Sequence, residues 1–352
     1  MAERPYRYLD DVYSQPASLI RSLHGLQAQT PIMAAAAEWL RAHPSIVVAG
    51  IGSSYNAALA MEAMLDACGT PVKVVDGTEL AYAPRLPRSA GLIIVSRSGA
   101  SVELVRLVHR CLSEGISYIA ITNAPDSPVA ASAHLAIDLR TDFDHCISLR
   151  MYTALQQALI VLGFAIAWPR SALPIEELMA AWRQVDAMLP EWHDTIEHDG
   201  DFFAPGSTLY MLARGMDLAN AWEGRLLMEE CGKSGATVMP TGAFRHGPQE
   251  VLSPLFRSIL WLPSTKPVHG YDFALAESIA GLGGRGMLIG RELPASANSH
   301  LKFELPPAPE FAAALFGVIP VQLGAYLLSV RKGKNPDELV YCPYVVTTEG
   351  AL

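Results

Sequence analysis

The chain has 352 residues, 51% hydrophobic and 17% charged, which is enough for two α/β lobes of globular material rather than one. A formal net charge of -9 argues against general nucleic-acid binding but leaves room for a local basic site that takes an anionic metabolite. Cys68, Cys111, Cys146, Cys231 and Cys342 are scattered and form no C-x-x-C pair, so a reduced, cytoplasmic compartment is expected and a zinc site is not.

The charged opening "MAERPYRYLDDVYSQ" reads as neither a signal peptide nor a membrane span. Apolar runs then alternate with helical patterns, the rhythm of parallel α/β architecture. "SIVVAG", "PVKVVD", "GLIIVS", "YIAITN" and "HLAIDL" predict strands, with helices near 53–68, 101–114 and 148–168. The run "LIVLGFAIAW" falls short of the ~20 residues a spanning helix needs and reads as a buried helix, so no membrane partner is expected. The proline-bearing segment "AWPRSALPIEELMAAWRQVDAML" reads as a linker that turns into an amphipathic helix. A second series, "STLYMLARG", "RSILWLP", "RGMLIGRE" and "LKFELP", has a similar rhythm and suggests an internal duplication.

Two strand ends carry the first chemical signal. "GIGSSY" places Gly50, Gly52, Ser53 and Ser54 between a strand and a helix. A turn of this kind offers free N–H groups and the positive end of the helix dipole, which suits a phosphate. A dinucleotide fingerprint is disfavoured because Tyr55 stands where glycine is needed, and no G-K-[ST] follows. A tight turn with a capping serine is the plainer reading of this segment alone. The second turn, "IIVSRSGASVEL", adds Ser96, Ser98, Gly99 and Ser101. Two hydroxyl-rich turns in one sheet can converge on one anion, and with no nucleotide or magnesium partner they point to a small phosphorylated metabolite.

Taken together, "GIGSSYNAALAME" and "SRSGASVELV" resemble the sugar isomerase (SIS) domain, whose patterns are G-[TS]-S and S-x-S-G-x-[TS]. "DDVYSQPASLI", "CISLRMYTALQQ", "LARGMDLANAWEGRLLMEECGKSGA" and "TGAFRHGPQEV" extend the resemblance to the isomerase half of glucosamine-6-phosphate synthase. The resemblance implies two doubly wound parallel-sheet α/β SIS domains in tandem, without a glutaminase domain. The expected divisions are an N-terminal helical extension (1–34), a phosphate-binding SIS domain (35–170), a helical linker (171–198), a second SIS domain (199–332) and a tail closing over the site (333–352).

The resemblance also assigns residues. Gly52, Ser53, Ser54, Ser96, Ser98, Ser101 and Ser148 fall on substrate- and phosphate-binding positions. Arg97 stands where the synthase has glutamine; it either adds a charge-assisted contact to the ligand or is a surface cation, and its place inside the turn favours the ligand. In "WEGRLLMEECG", Glu223 and Glu230 are seven apart, about 20° from eclipsed on a helix, so they share a face. A carboxyl among leucines should resist ionisation, which suits a proton shuttle, whereas a solvated acidic helix end is the plainer alternative. The resemblance puts the proton-transferring glutamate at Glu230, the preceding site carboxylate at Glu223 and the ring-opening histidine at His246. In the synthase that histidine serves the neighbouring subunit, which implies a homodimer here.

In the tail, "KNPDELVYCPYVVTTE" aligns Tyr341 with the synthase lysine that forms a Schiff base. A tyrosine cannot form an imine, so covalent ketose capture is not expected. Fructosamine-6-phosphate deglycases, which also lack the glutaminase half, work with a glutamate–histidine pair. The expected function is a phosphosugar-processing enzyme (deglycase, deaminase or aldose–ketose isomerase) that works through an enediol or enolamine with no metal or organic cofactor. A non-catalytic sugar-phosphate sensor, and a ligand whose anion is not phosphate, are the alternatives.

Overall fold

In the computed structural model the described residues are 5–199, 201–297, 299–348 and 350. Helices α1 (Arg7–Ala28) and α2 (Thr30–Arg41) open the chain. There follow β1 (Ile46–Gly50), α3 (Ser53–Ala67), β2 (Val72–Asp76), α4 (Gly77–Tyr82), β3 (Gly91–Ser96) and α5 (Val102–Glu114). β4 (Tyr118–Thr122), α6 (Pro128–Ala131), β5 (Leu135–Asp138) and α7 (Arg150–Ala167) complete the first series. After α8 (Ile175–His198) come β6 (Thr208–Ala213), α9 (Leu218–Glu230), β7 (Thr237–Pro240), α10 (Thr241–Phe244) and β8 (Phe256–Leu262). The chain then forms α11 (Val268–Gly281), β9 (Arg285–Gly290), β10 (Leu301–Glu304) and α12 (Ile319–Arg331).

Contacts divide the chain into two compact units, one of Gln15–Met179 with Leu339–Leu352, the other of Met1–Ser14 with Ala180–Glu338. These limits fall inside α1 and α8, away from the expected divisions at 34, 170 and 198. The cause lies in α8, which does more than connect: Trp182, Leu189, Trp192 and Ile196 are buried, and the Trp182 ring meets Phe316 edge-on at 4.7 Å.

Each unit is built on one five-stranded parallel sheet. The first has the order β2-β1-β3-β4-β5 and the second β10-β9-β8-β6-β7, so each runs 2-1-3-4-5 in its own strand sequence. β3 and β4 are buried along their whole length, as central strands covered by helices on both faces must be. On one face, Ala49, Leu92, Ile94 and Ala120 pack with Leu80, Leu104 and Leu107 of α4 and α5. In the second sheet Leu212, Phe256, Leu260 and Leu288 pack with Phe244, Ala276 and Ile279 of α10 and α11.

Two segments, Arg150–Ala167 and Glu310–Arg331, are long and apolar enough to cross a bilayer, yet 89% of each window is buried in the fold. α7 shows why the first is a core helix. Polar side chains on it are bonded inside the protein: Thr153 Oγ1 donates to Gln15 Oε1 at 2.6 Å, and Gln157 Nε2 donates to the Leu19 carbonyl at 3.1 Å.

Candidate functional site

In a 2-1-3-4-5 sheet the connections leave the first and third strands in opposite directions, and their carboxyl ends frame a crevice. In the first unit those ends are Gly50 and Ser96, so both serine turns open onto the same crevice. Gly50 is required because a Cβ there would stand 2.8 Å from the backbone of Ser54 and Tyr55: α3 starts directly on the strand end. Gly52 caps α3 at φ +56 with no side-chain cap, so the first-turn amides of α3 are not covered by a capping side chain. Ser54 is buried, Ser53 partly so.

The second turn is held by its own hydroxyls. Ser96 Oγ accepts from the Gly99 amide at 2.9 Å, and Ser98 Oγ accepts from the Ala100 amide at 3.3 Å. Gly99 has φ +61, and a Cβ there would lie 1.9 Å from Ser127 Oγ. Ser101 is the N-cap residue of α5 and makes no side-chain cap bond.

Around this edge sit three further pieces of the same unit. Ser148, in the loop that follows β5, is buried, and its Oγ has no hydrogen-bond partner among the described residues. Such an orphan hydroxyl is costly unless a ligand or water completes it. Asp144, with a fully buried side chain, caps α7 by accepting from the amides of Leu149, Arg150 and Met151 at 2.9, 2.9 and 3.0 Å. The tail crosses here: Arg97 donates to the Tyr344 carbonyl and lies 3.9 Å over the Tyr344 ring, Tyr344 Oη donates to the Asp144 carbonyl at 3.1 Å, and the Val346 carbonyl accepts from the Val102 amide at 3.1 Å. Arg97 is therefore engaged with the tail in this structure. Tyr341 is 81% exposed.

Glu223, Glu230 and His246 belong to the other unit. Glu223 is buried in the middle of α9, and Glu230 is half-buried at its last position. Glu229 is paired with Arg225 at 2.9 Å. Tyr8 is buried on the same side and donates to the Gln322 carbonyl at 3.0 Å. Burial pushes its phenol well above the usual value, and the negative forms of Cys231, Glu223 and Glu230 push in the same direction. The segment beyond α9 is pinned by Lys233, whose Nζ donates to the carbonyls of Glu230 and Glu338. His246 is exposed on a loop anchored by the buried Phe244.

Residues 40–167 match the model of the SIS domain family. The match covers the first sheet and its two serine turns. Among curated relatives, the glutamine–fructose-6-phosphate aminotransferase of Pyrococcus horikoshii is 25% identical over 342 residues, covering 94% of this chain and 55% of that protein. The chain thus spans little more than half the length of the relative. The fold is shared with the C-terminal domain of glucosamine-fructose-6-phosphate aminotransferase from Francisella tularensis, at a TM-score of 0.81 and 18% identity over 94% of this chain and 97% of that one. It is shared equally with tagatose-6-phosphate ketose/aldose isomerase from Escherichia coli, at 0.80 and 20% over 96% and 97%.

The matched segment therefore holds Gly52, Ser53, Ser54, Ser96, Arg97, Ser98, Ser101 and Ser148 at the carboxyl edge of its sheet, while Glu223 and Glu230 lie near Tyr8 in the second unit and His246 is exposed on its own loop. Sequence reasoning missed Asp144, Tyr344 and Tyr8. Asp144 carried one readable signal, an acidic residue shortly before a long apolar helix. Tyr344 and Tyr8 act through partners hundreds of positions away and carried none. No group of three or more His, Cys, Asp or Glu residues placed to hold a metal occurs among the described residues.

Proposed function

We propose that this chain converts a phosphorylated amino sugar or fructosamine, as a deglycase, deaminase or aldose–ketose isomerase. The observation that carries the reading is the pairing of two glycine–serine turns at the switch point of one sheet, with the orphan Ser148 hydroxyl beside them. The phosphate sits on the first-turn amides of α3 and on the hydroxyls of Ser53, Ser54, Ser96, Ser98 and Ser101, the first amide of α5 being taken by the tail. Fixing the phosphate makes the later proton transfers effectively intramolecular. Arg97 holds the tail over this edge and closes on the bound anion.

Glu230 takes a proton from the carbon next to the carbonyl or imine and returns it to the neighbouring carbon, through an enediol or enolamine. Glu223 fixes the position of the substrate end, and His246, supplied by the second protomer of a homodimer, assists ring opening. Where nitrogen sits at C1 or C2, water adds to the resulting imine and the amine leaves. The second unit, with the same strand order, is on this reading a second SIS domain, and the enzyme works in the cytoplasm. The matched relatives' printed names, isomerase and aminotransferase of hexose 6-phosphates, support the substrate class.

The test is a screen of fructosamine 6-phosphates, glucosamine 6-phosphate and galactosamine 6-phosphate that follows release of amino acid or ammonia and formation of ketose. Turnover of one of these, lost in Glu230→Gln, is expected. Binding of these compounds without any turnover in the wild-type protein assigns the chain to sensing instead.

A further inference from the structure

The second sheet has its own switch point, and it is lined quite differently. We infer that the crevice beyond β6 and β8 is a separate binding site for a small α-amino acid with an apolar side chain. Its lining follows directly on four strand ends: Arg214–Asp217 after β6, Leu262–Thr265 at β8, Ile289–Arg291 at β9 and Leu305 after β10. This is the place where open parallel sheets bind ligands. The cavity is about 360 Å³, within the range of small-molecule sites, and its walls are mainly apolar, with Met216, Leu262, Val268, Ile289 and Leu305.

Into these apolar walls the fold sets fixed groups of both signs. Arg214 is clamped by Asp272, with Nε at 2.8 Å from Oδ2 and Nη2 at 2.9 Å from Oδ1. Arg291 is oriented by Nη1 donating to the Ala308 carbonyl at 2.8 Å and Nη2 donating to Ser264 Oγ at 2.9 Å. Asp217 accepts from Asn220 Nδ2 at 2.9 Å through Oδ1; burial lifts its carboxyl to about 6, against the opposing pull of Asn220 and of the Arg291 charge, so the two charges of the lining face each other across the site. Glu310 stands exposed at the rim.

A lining of arginines alone would suit a phosphate. A guanidinium and a carboxylate sharing apolar walls suit a ligand that carries both charges and an apolar body: its carboxylate meets Arg291, its ammonium meets Asp217, and its side chain is buried. The site uses none of the serines and neither Glu230 nor His246, so it stands or falls apart from the phosphosugar reading.

The test is calorimetric titration of the full chain with L-leucine, L-methionine, N-acetyl-L-leucine amide and phenyl phosphate, with no turnover required. One-to-one binding of a free amino acid is expected, with none of the blocked amide. It should persist in Ser96→Ala/Ser98→Ala and weaken about tenfold or more in Arg291→Met. Ala313→Leu, which fills the cavity from its wall and keeps every charge, should abolish it and serves if Arg291→Met does not fold. No binding of either amino acid, binding of phenyl phosphate alone, or amino-acid binding unchanged by both variants overturns the inference.

Discussion

The guanidinium of Arg97 lies 3.9 Å over the ring of Tyr344 and donates to the carbonyl of the same residue. A turn residue expected to meet a ligand thus also fastens the tail, and the Val346 carbonyl covers the first amide of α5. Tyr344→Ala removes the stacking, a contact worth about 1 kcal/mol at an exposed position. Amide exchange at Val102 and along 344–346 should speed up several-fold, while protection in β3 and β4 stays unchanged. Equal exchange in both proteins would mean that the tail is held by something else.

Gly99 has no substitute. At φ +61, with Ser127 Oγ 1.9 Å from any Cβ, Gly99→Ala combines backbone strain with overpacking. A loss of about 2–4 kcal/mol is expected in denaturant unfolding, together with loss of phosphate-ester binding. Full affinity in a folded Gly99→Ala protein would remove the second turn from the site.

Asp144→Ala strips three backbone amides at the start of α7 of their acceptor and leaves Arg150 without its carboxylate. A destabilisation of about 2–4 kcal/mol should follow, measured by chemical denaturation.

How far the sequence reaches is shown by these same residues. The buried strands were legible because continuous apolar runs between turn residues leave little choice, and the serine turns because glycine and hydroxyl residues cluster where strand gives way to helix. β7 escaped: it is four residues long, lies at a sheet edge, is exposed or half-buried throughout and ends in Pro240. α8 was legible as an amphipathic helix behind a proline-bearing segment, but the burial of Trp182 and Trp192 depends on Phe316 and Phe303, more than 100 positions away, and was not. In the site, the serines announced themselves, but the contacts of Tyr344 and Tyr8 exist only once the chain is folded.

Asp217 gives a pH signature. Its carboxyl is raised by burial from 3.8 to about 6, so folding favours the protonated form. That preference is complete below 3.8 and is lost as pH rises through about 6, above which the folded protein holds a buried charge at a cost. Asp217→Asn keeps a neutral group there at every pH. Relative to wild type, its melting temperature should rise between pH 4 and pH 8, with the change centred between 3.8 and about 6. A pH-independent difference would show that Asp217 ionises as freely in the fold as in the unfolded chain.

The most direct measurement is solvent deuterium exchange at C1 and C2 of a bound hexose 6-phosphate or hexosamine 6-phosphate, run beside thermal shifts with the same compound. The account predicts exchange in the wild-type protein and none in Glu230→Gln, whose melting temperature the sugar phosphate still raises; Ser96→Ala/Ser98→Ala should lose both the shift and the exchange. Exchange that continues in Glu230→Gln, or a thermal shift that survives loss of the two serines, would contradict it.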